Sequence, residues 1–236
     1  VQLDPDGLLS DLDPAQRAAV TSPATPLAII APAGSGKTRV LTRRIAWRVA
    51  TGDADPRHVL ALTFTRKAAA ELVTRLRQVG LRADVAAGTF HAVAFAQIRA
   101  RWAERGWQPQ TLVASKATVL GSMPQVRRAR ITVADLASEI EWAKARFVAA
   151  DHYADEIAAT GRKPPASAAT IAELYAAYEE AKRARRLVDF DDLLRLCIDA
   201  IENDETFAAT QRWRCRHLFV DEFQDVNPLQ FRLLAA

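Results

Sequence analysis

Apolar positions in the first third of the chain alternate between two spacings. "LAIIA" (27–31) and "VLALTF" (59–64) are short unbroken apolar runs, the pattern of parallel strands buried on both faces. Between them, residues 37–50 place Leu41, Ile45 and Val49 four apart, with Gly52 as a stop, which predicts an amphipathic helix. After the second run, Ala69, Leu72, Val73, Leu76 and Val79 share one helical face. "DVAAGTF" (84–90) is a third, weaker strand, followed by a helix from about 91 to 104, and "HLFVD" (217–221) returns to the same sheet. Strands alternating with helices predict an α/β fold with a doubly wound parallel sheet.

Between about residues 101 and 187 the strand signal disappears. "TVADLASEIEWAKARF" (132–147) offers Leu136, Ile140, Ala143 and Phe147 at helical spacing, with Thr132 and Asp135 placed as a capping pair. "TIAELYAAYEEAKRARR" (170–186) repeats the logic with Thr170 and Glu173, and "GRKPPAS" (161–167) is a linker. The expectation is an α/β domain over 1–100, an all-helical insertion over 101–186 and a return to the first domain over 187–236.

Composition narrows the class. Half the residues are hydrophobic and a quarter are charged, as in a soluble globular protein, and no apolar run reaches the eighteen residues of a membrane span. The N-terminus is acidic where a signal peptide would be basic and then apolar. Cys197 and Cys215 lack C-x-x-C spacing and are expected to be reduced thiols in a cytoplasmic protein. The net charge is +4, unevenly spread: residues 39–82 hold ten Lys/Arg against three acids, whereas 187–236 hold ten acids against five arginines. A basic first half suits an anionic partner, although a solvated basic helix face would look the same.

The chemistry sits where strands end. "APAGSGKT" (31–38) fits the phosphate-binding pattern G-x-x-x-x-G-K-[ST], with Ala31 in place of the first glycine. Within the loop Ala33–Thr38, Gly34 and Gly36 let backbone N–H groups turn inward around Ser35, and the helix N-terminus adds partial positive charge. Lys37 can reach terminal phosphates and the Thr38 hydroxyl can ligate Mg²⁺. Pro32 removes one donor from the cradle. "LFVDEFQD" (218–225) supplies the complementary carboxylates: Asp221 for Mg²⁺ and Glu222 to deprotonate an attacking water. Together they predict nucleotide hydrolysis.

With both halves in place, the chain resembles the amino-terminal part of superfamily 1 DNA helicases of the UvrD/Rep/PcrA type. "LDPAQRAAV" (12–20) is similar to the family's Q motif, which implies that Gln16 reads adenine; Arg39 matches a basic position near the nucleotide. "TFTRKAAAEL" (63–72) and "GTFHAV" (88–93) resemble the motifs that contact single-stranded DNA, which implicates Thr63, Phe64, Thr65, Arg66, Lys67, Thr89, Phe90 and His91. "DEFQD" is close to the family's Walker B signature, with Gln224 linking nucleotide and DNA sites and acting with Glu222 and Lys37 in catalysis; "DFDDLL" (189–194) is another recurrent stretch. Rings just past strand ends can stack on bases, but Phe64 could equally be core and His91 a helix cap.

The resemblance implies a RecA-like domain 1A, a helical 1B insertion, ATP and Mg²⁺ as cofactors, and single-stranded DNA and duplex junctions as partners. For Trp102 and Trp107 in the insertion, core packing is the better reading. The second motor domain's arginines are absent, and the chain stops in a helix begun by Asn227 and Pro228. The expected whole is a 3′-to-5′ translocase serving repair or recombination, completed by a C-terminal motor domain of the same protein. A RecB/AddA-like helicase–nuclease and a non-translocating regulatory ATP-binding module are the alternatives.

Overall fold

The computed structural model describes residues 3–32, 34–82 and 85–236. Its first elements are α1 (Pro14–Thr21), α2 (Lys37–Ala50), β1 (Val59–Thr63), α3 (Arg66–Gln78), β2 (Ala86–Thr89) and α4 (Phe90–Glu104). The middle comprises β3 (Thr111–Leu112), α5 (Lys116–Leu120), α6 (Pro124–Arg128), α7 (Val133–Ala145), α8 (Tyr153–Thr160) and α9 (Ala168–Ala184). The chain continues through β4 (Leu187–Val188), α10 (Phe190–Asn203), α11 (Glu205–Arg214), β5 (His217–Val220) and α12 (Pro228–Ala235). No helix among the described residues is long and apolar enough to cross a membrane.

These elements form two compact units, Val1–Phe90 with Glu205–Gln224, and His91–Asp204 with Asp225–Ala236. In the first, a three-stranded parallel sheet has the order β2-β1-β5. β1 is central and all five of its residues are buried, as a strand covered on both faces must be. Ile45 and Ala46 from α2 and Leu72 and Leu76 from α3 close over it, together with Val59 and Ala61. In α3 the expected Ala69, Leu72 and Leu76 are buried; in α2, which has the predicted bounds, Ile45 is buried while Leu41 and Val49 are only half-buried and the buried face is shifted towards Val40, Thr42 and Arg44.

The run 27–31 departs from expectation. It forms no strand, and Ile30 is 96% exposed. Hydrophobicity alone does not make a strand: a ladder partner must take up the backbone groups, and no described strand pairs with this segment. β5 is likewise less buried than its apolar sequence suggests, with Leu218 exposed.

The second unit is helical around Leu136, Ile140, Ala143, Tyr153, Ile171 and Tyr178. Its one sheet element is the two-residue parallel pairing of β3 with β4, which the sequence did not signal. Thr132 caps α7 as expected, accepting from the Asp135 amide at 3.0 Å. The cap of α9 is Ser167, which accepts from the Thr170 amide, so Thr170 lies one turn inside the helix. Trp102 is buried, whereas Trp107 is exposed beneath the guanidinium groups of Arg101 and Arg105. Neither Cys197 nor Cys215 forms a disulfide.

The compact units divide at 90/91, 204/205 and 224/225. What ties α10 to the helices before it is Asp189, its N-cap. It is 1% exposed, and its Oδ2 accepts from Lys144 of α7 at 2.7 Å, Lys182 of α9 at 3.1 Å and the Tyr178 hydroxyl at 2.9 Å. That binds α10 into the helical unit, and α12 packs on α10 and α7. Burial alone would raise the Asp189 carboxyl, but Lys144, Lys182 and Lys116 hold it well below the usual range. Burial likewise works against Lys144, yet Asp189, Asp192 and Glu179 raise it well above its ordinary value.

Stripping one partner from a buried ion pair typically costs about 3–5 kcal/mol, so Asp189→Ala should lower the urea midpoint of the helical unit by a corresponding amount. Because the folded carboxyl titrates below the unfolded one, its contribution is full above about pH 3.9 and is lost as pH falls further. Urea midpoints measured from pH 7 to pH 3 should therefore drop below about pH 4. Asp189→Asn, which lacks the titration, should show a flatter acid limb; parallel curves would contradict the assignment.

Candidate functional site

The loop after 27–31 is shaped by its glycines. Gly34 and Gly36 have φ of +78° and +85°, conformations that an L side chain enters at a cost of roughly 1–2 kcal/mol. Gly36 is the N-cap of α2, so the loop delivers its backbone amides to a helix N-terminus, where an anion is favoured. A Cβ on Gly36 would also come within 3.2 Å of the Gln16 side-chain amide. Ala33 lies outside the described residues.

Gln16 reaches this loop because the chain caps α1 locally. The Asp13 carboxylate accepts from the Gln16 amide at 2.8 Å, and Gln16 Oε1 accepts from the Asp13 amide at 3.3 Å, a reciprocal capping box. Its Nε2 then donates to the Ser35 carbonyl at 3.1 Å. Both ends of the amide are therefore engaged, and adenine would have to displace one of these partners. Lys37 Nζ donates to the carbonyls of Ala31 (3.2 Å) and Pro32 (3.4 Å). Thr38 opens α2 one residue later and is half-buried. Arg39 is committed to Asp11, bonding its carboxylate and, at 2.8 Å, its carbonyl; Arg43 shares the same carboxylate at 3.1 Å. Asp11 is a residue that motif reading missed, since a single exposed acid has no pattern.

Asp221 continues β5 past its last residue, with its amide donating to the Leu62 carbonyl at 2.9 Å. Its carboxyl is raised above the ordinary value, first by burial and then by Glu222, against the Glu222 amide, Lys37 and Arg75. Of the charges that lower Asp221, Lys37 is the one that belongs to the glycine-bearing loop. Glu222 is exposed and left-handed, with φ of +51°. Its Oε2 accepts from Gln224 Nε2 at 2.6 Å. Strained non-glycine residues of this kind cost about 1–3 kcal/mol and concentrate at functional sites.

The residues singled out for DNA separate into two groups. Thr63 is 1% exposed and its hydroxyl donates to the Thr65 carbonyl at 3.1 Å; Phe90 is 1% exposed and packs against Phe64. These two are core, because the inward positions of β1 and the start of α4 face the sheet's packing. Phe64 is half-buried, Thr65 caps α3 by accepting from the Ala68 amide, and Arg66 and Lys67 are exposed. Thr89 is half-buried at the end of β2. His91 begins the other unit, edge-on to Phe190 at 5.7 Å. Burial lowers its pKa, with Lys116 adding to the effect and Asp191 and Asp189 opposing it.

Thr38 and Asp221 carry hydroxyl and carboxylate oxygens, the donor class of a hard divalent cation, and the Glu222 charge that helps to raise Asp221 is one that a cation would offset. A tighter acidic grouping, Glu179, Asp189 and Asp192, is already neutralised by the Lys144 and Lys182 ammonium groups. It is structural.

Asp221 titrates above its unfolded value, so its ionisation costs stability as pH rises from about 3.9 through the folded pKa. Asp221→Asn should therefore be at least as stable as the unmodified chain at pH 7 without divalent cations, and the advantage should vanish below about pH 4. Thermal melts at both pH values check this; a less stable variant at pH 7 would overturn it.

A family model described as the UvrD/REP helicase N-terminal domain matches residues 12–236. The chain is similar to the ATP-dependent DNA helicase UvrD2 of Mycobacterium tuberculosis, 44% identical over 249 aligned residues that cover 98% of this chain and 35% of that protein. It is 34% identical to DNA helicase II of Escherichia coli over 247 residues, covering 99% of this chain and 33% of that protein. UvrD1 of Mycobacterium tuberculosis is 34% identical over 243 residues, covering 97% and 30%. The chain thus spans about a third of the length of these relatives. With a model match over nearly its whole length, the chain belongs to the UvrD/REP helicase family.

Proposed function

We propose that this chain is the nucleotide-binding part of an ATP-dependent DNA helicase, one that moves 3′-to-5′ on single-stranded DNA and serves repair or recombination in the cytoplasm. The first unit corresponds to a RecA-like P-loop domain 1A and the helical unit contains its 1B insertion. The observation that carries this reading is the glycine-built loop that ends as the N-terminus of α2, together with Asp221 held at the end of the parallel sheet by its bond to Leu62, where α/β folds place their ligands. The relatives' names add ATP and DNA.

In this reading the Gly34–Thr38 amides and Lys37 hold the phosphates, with Gln16 and Arg39 at the nucleoside side. Mg²⁺ would be held by Thr38 and Asp221 and would neutralise charge developing on the phosphates. Glu222, aimed by its left-handed backbone and by Gln224, takes the proton of the attacking water. Phe64, Thr65, Arg66, Lys67, Thr89 and His91 face single-stranded DNA. The arginines and the second DNA grip belong to the two thirds of the helicase that this chain does not span.

Titration with a fluorescent ATP analogue should show Mg²⁺-dependent binding that Lys37→Ala weakens severely. Coincident curves for the two proteins would sink the site. A positioned arginine is worth about 10³–10⁵ in rate, so the 236-residue chain should hydrolyse ATP near background even with DNA present. In the longer protein, Glu222→Gln should abolish turnover while sparing ATP binding. Strong DNA-stimulated hydrolysis by the chain alone would contradict the missing-arginine argument.

A further inference from the structure

A parallel sheet has two ends, and the site above uses only one. At the other end, Val59 of β1 pairs with His217 of β5, so the residues leading into these strands lie side by side. Those residues are His58, which ends the turn Pro56–His58, and the run Arg212-Trp213-Arg214-Cys215-Arg216-His217. The Trp213 ring lies 4.1 Å from the His58 ring at 63°, yet Trp213 remains 63% exposed. Arg48, from the last turn of α2, belongs to the same cluster: His217 is lowered by burial and then by Arg48, Arg216 and His58, with Asp53 opposing.

The charge at this end is poorly matched. Arg57 is spent on Asp55 through three side-chain hydrogen bonds. No ion pair within 4.0 Å involves Arg48, Arg214 or Arg216 among the described residues. His58 Nδ1 and Arg48 Nε are covered and lack a hydrogen-bond partner, where most buried polar atoms have one. Helix dipoles make arginines welcome in the last turns of α2 and α11. They do not account for Arg216, which lies beyond α11, or for a large indole left in solvent.

We propose that this end of the sheet is a second contact for single-stranded nucleic acid, in which Trp213 stacks on a base while Arg214 and Arg216 take the flanking phosphates. An exposed ring set among arginines combines the sequence-tolerant stacking and backbone charge that such binding needs. An acidic peptide would use the arginines but gain little from the indole. A five-residue strand separates the two ends by roughly 13 Å. That is a few nucleotides of travel around the edge of the unit.

The test uses the chain carrying Phe64→Ala and Lys67→Ala, which weaken the other end, and a fluorescein-labelled oligo-dT. Anisotropy should still report salt-dependent binding. Trp213→Ala in that background should weaken it about five-fold or more, as loss of one base stack does. Arg214→Glu with Arg216→Glu should weaken it further and flatten its salt dependence. All three positions are exposed, and unchanged melting temperatures verify the fold. Ultraviolet crosslinking should mark the peptide that contains Trp213.

Unchanged affinity in both variants, or crosslinks confined to other peptides, would overturn the second contact. So would a polyglutamate peptide that binds more tightly than oligo-dT and ignores Trp213→Ala, which would make this edge a protein-docking surface. No binding in the Phe64/Lys67 background also overturns it, while the affinity of the unmodified chain independently reports on the first site.

Discussion

The helical unit is organised by a carboxylate that cannot be left alone. Asp189 is buried at the point where α7, α9 and α10 converge, and an unpaired charge there would cost several kcal/mol in desolvation. Two lysines answer it, and each lysine in turn requires Asp192 and Glu179. A nearby buried lysine, Lys116, repeats the arrangement with Asp191 and Glu141. None of these groups can move far without stranding another. Well-packed apolar residues could supply equal stability; what the ionic set adds is a single register for α10 against α7 and α9. Because α12 rests on α10, that register also places α12 within the helical unit.

In the other unit the constraint is directional. Three parallel strands release their chains at the same end, so the residues following β1, β2 and β5 are gathered whatever their separation in sequence. Asp221 is locked to that edge by its bond to the Leu62 carbonyl. The loop from Gly34 to Thr38 reaches the same edge because α2 lies against α3 and the sheet. Asp221, flanked by Glu222 and half-buried, is held above its ordinary value there.

How much of this was legible in the sequence follows from how local each signal is. The helix Lys37–Ala50, the glycine-bearing loop and the strands before Thr63 and Asp221 all depend on neighbours within a few residues, and the chain announced them. The strand at 27–31 needed a ladder partner, which no local pattern contains. Thr63 and Phe90 lie at junctions where a side chain faces either the core or the solvent, and sequence cannot distinguish the two. The Lys144–Asp189–Lys182 set was invisible for a different reason. Charged residues on amphipathic helices are normally solvated, and only the convergence of three helices turns these into an interior network. The capping box at Asp13 and Gln16 had a readable signature, but its donation to Ser35, the step that matters for the loop, is long-range.

The partners of Lys37 and Glu222 show how such a site can be held ready without being rigid. Lys37 donates to two neutral carbonyls, Ala31 and Pro32. Charge-assisted bonds are roughly twice as strong as neutral ones, so an anion entering the loop offers Lys37 stronger acceptors than the loop itself does. Gln16 is tied to the same loop through Ser35 and to the start of α1 through Asp13. One side chain therefore joins the loop to the start of α1. Glu222 carries its constraint in the backbone: the left-handed residue lies between Asp221, which follows the last residue of β5, and the turn Phe223–Asp225. Beyond the backbone, the carboxylate is held by its bond to Gln224.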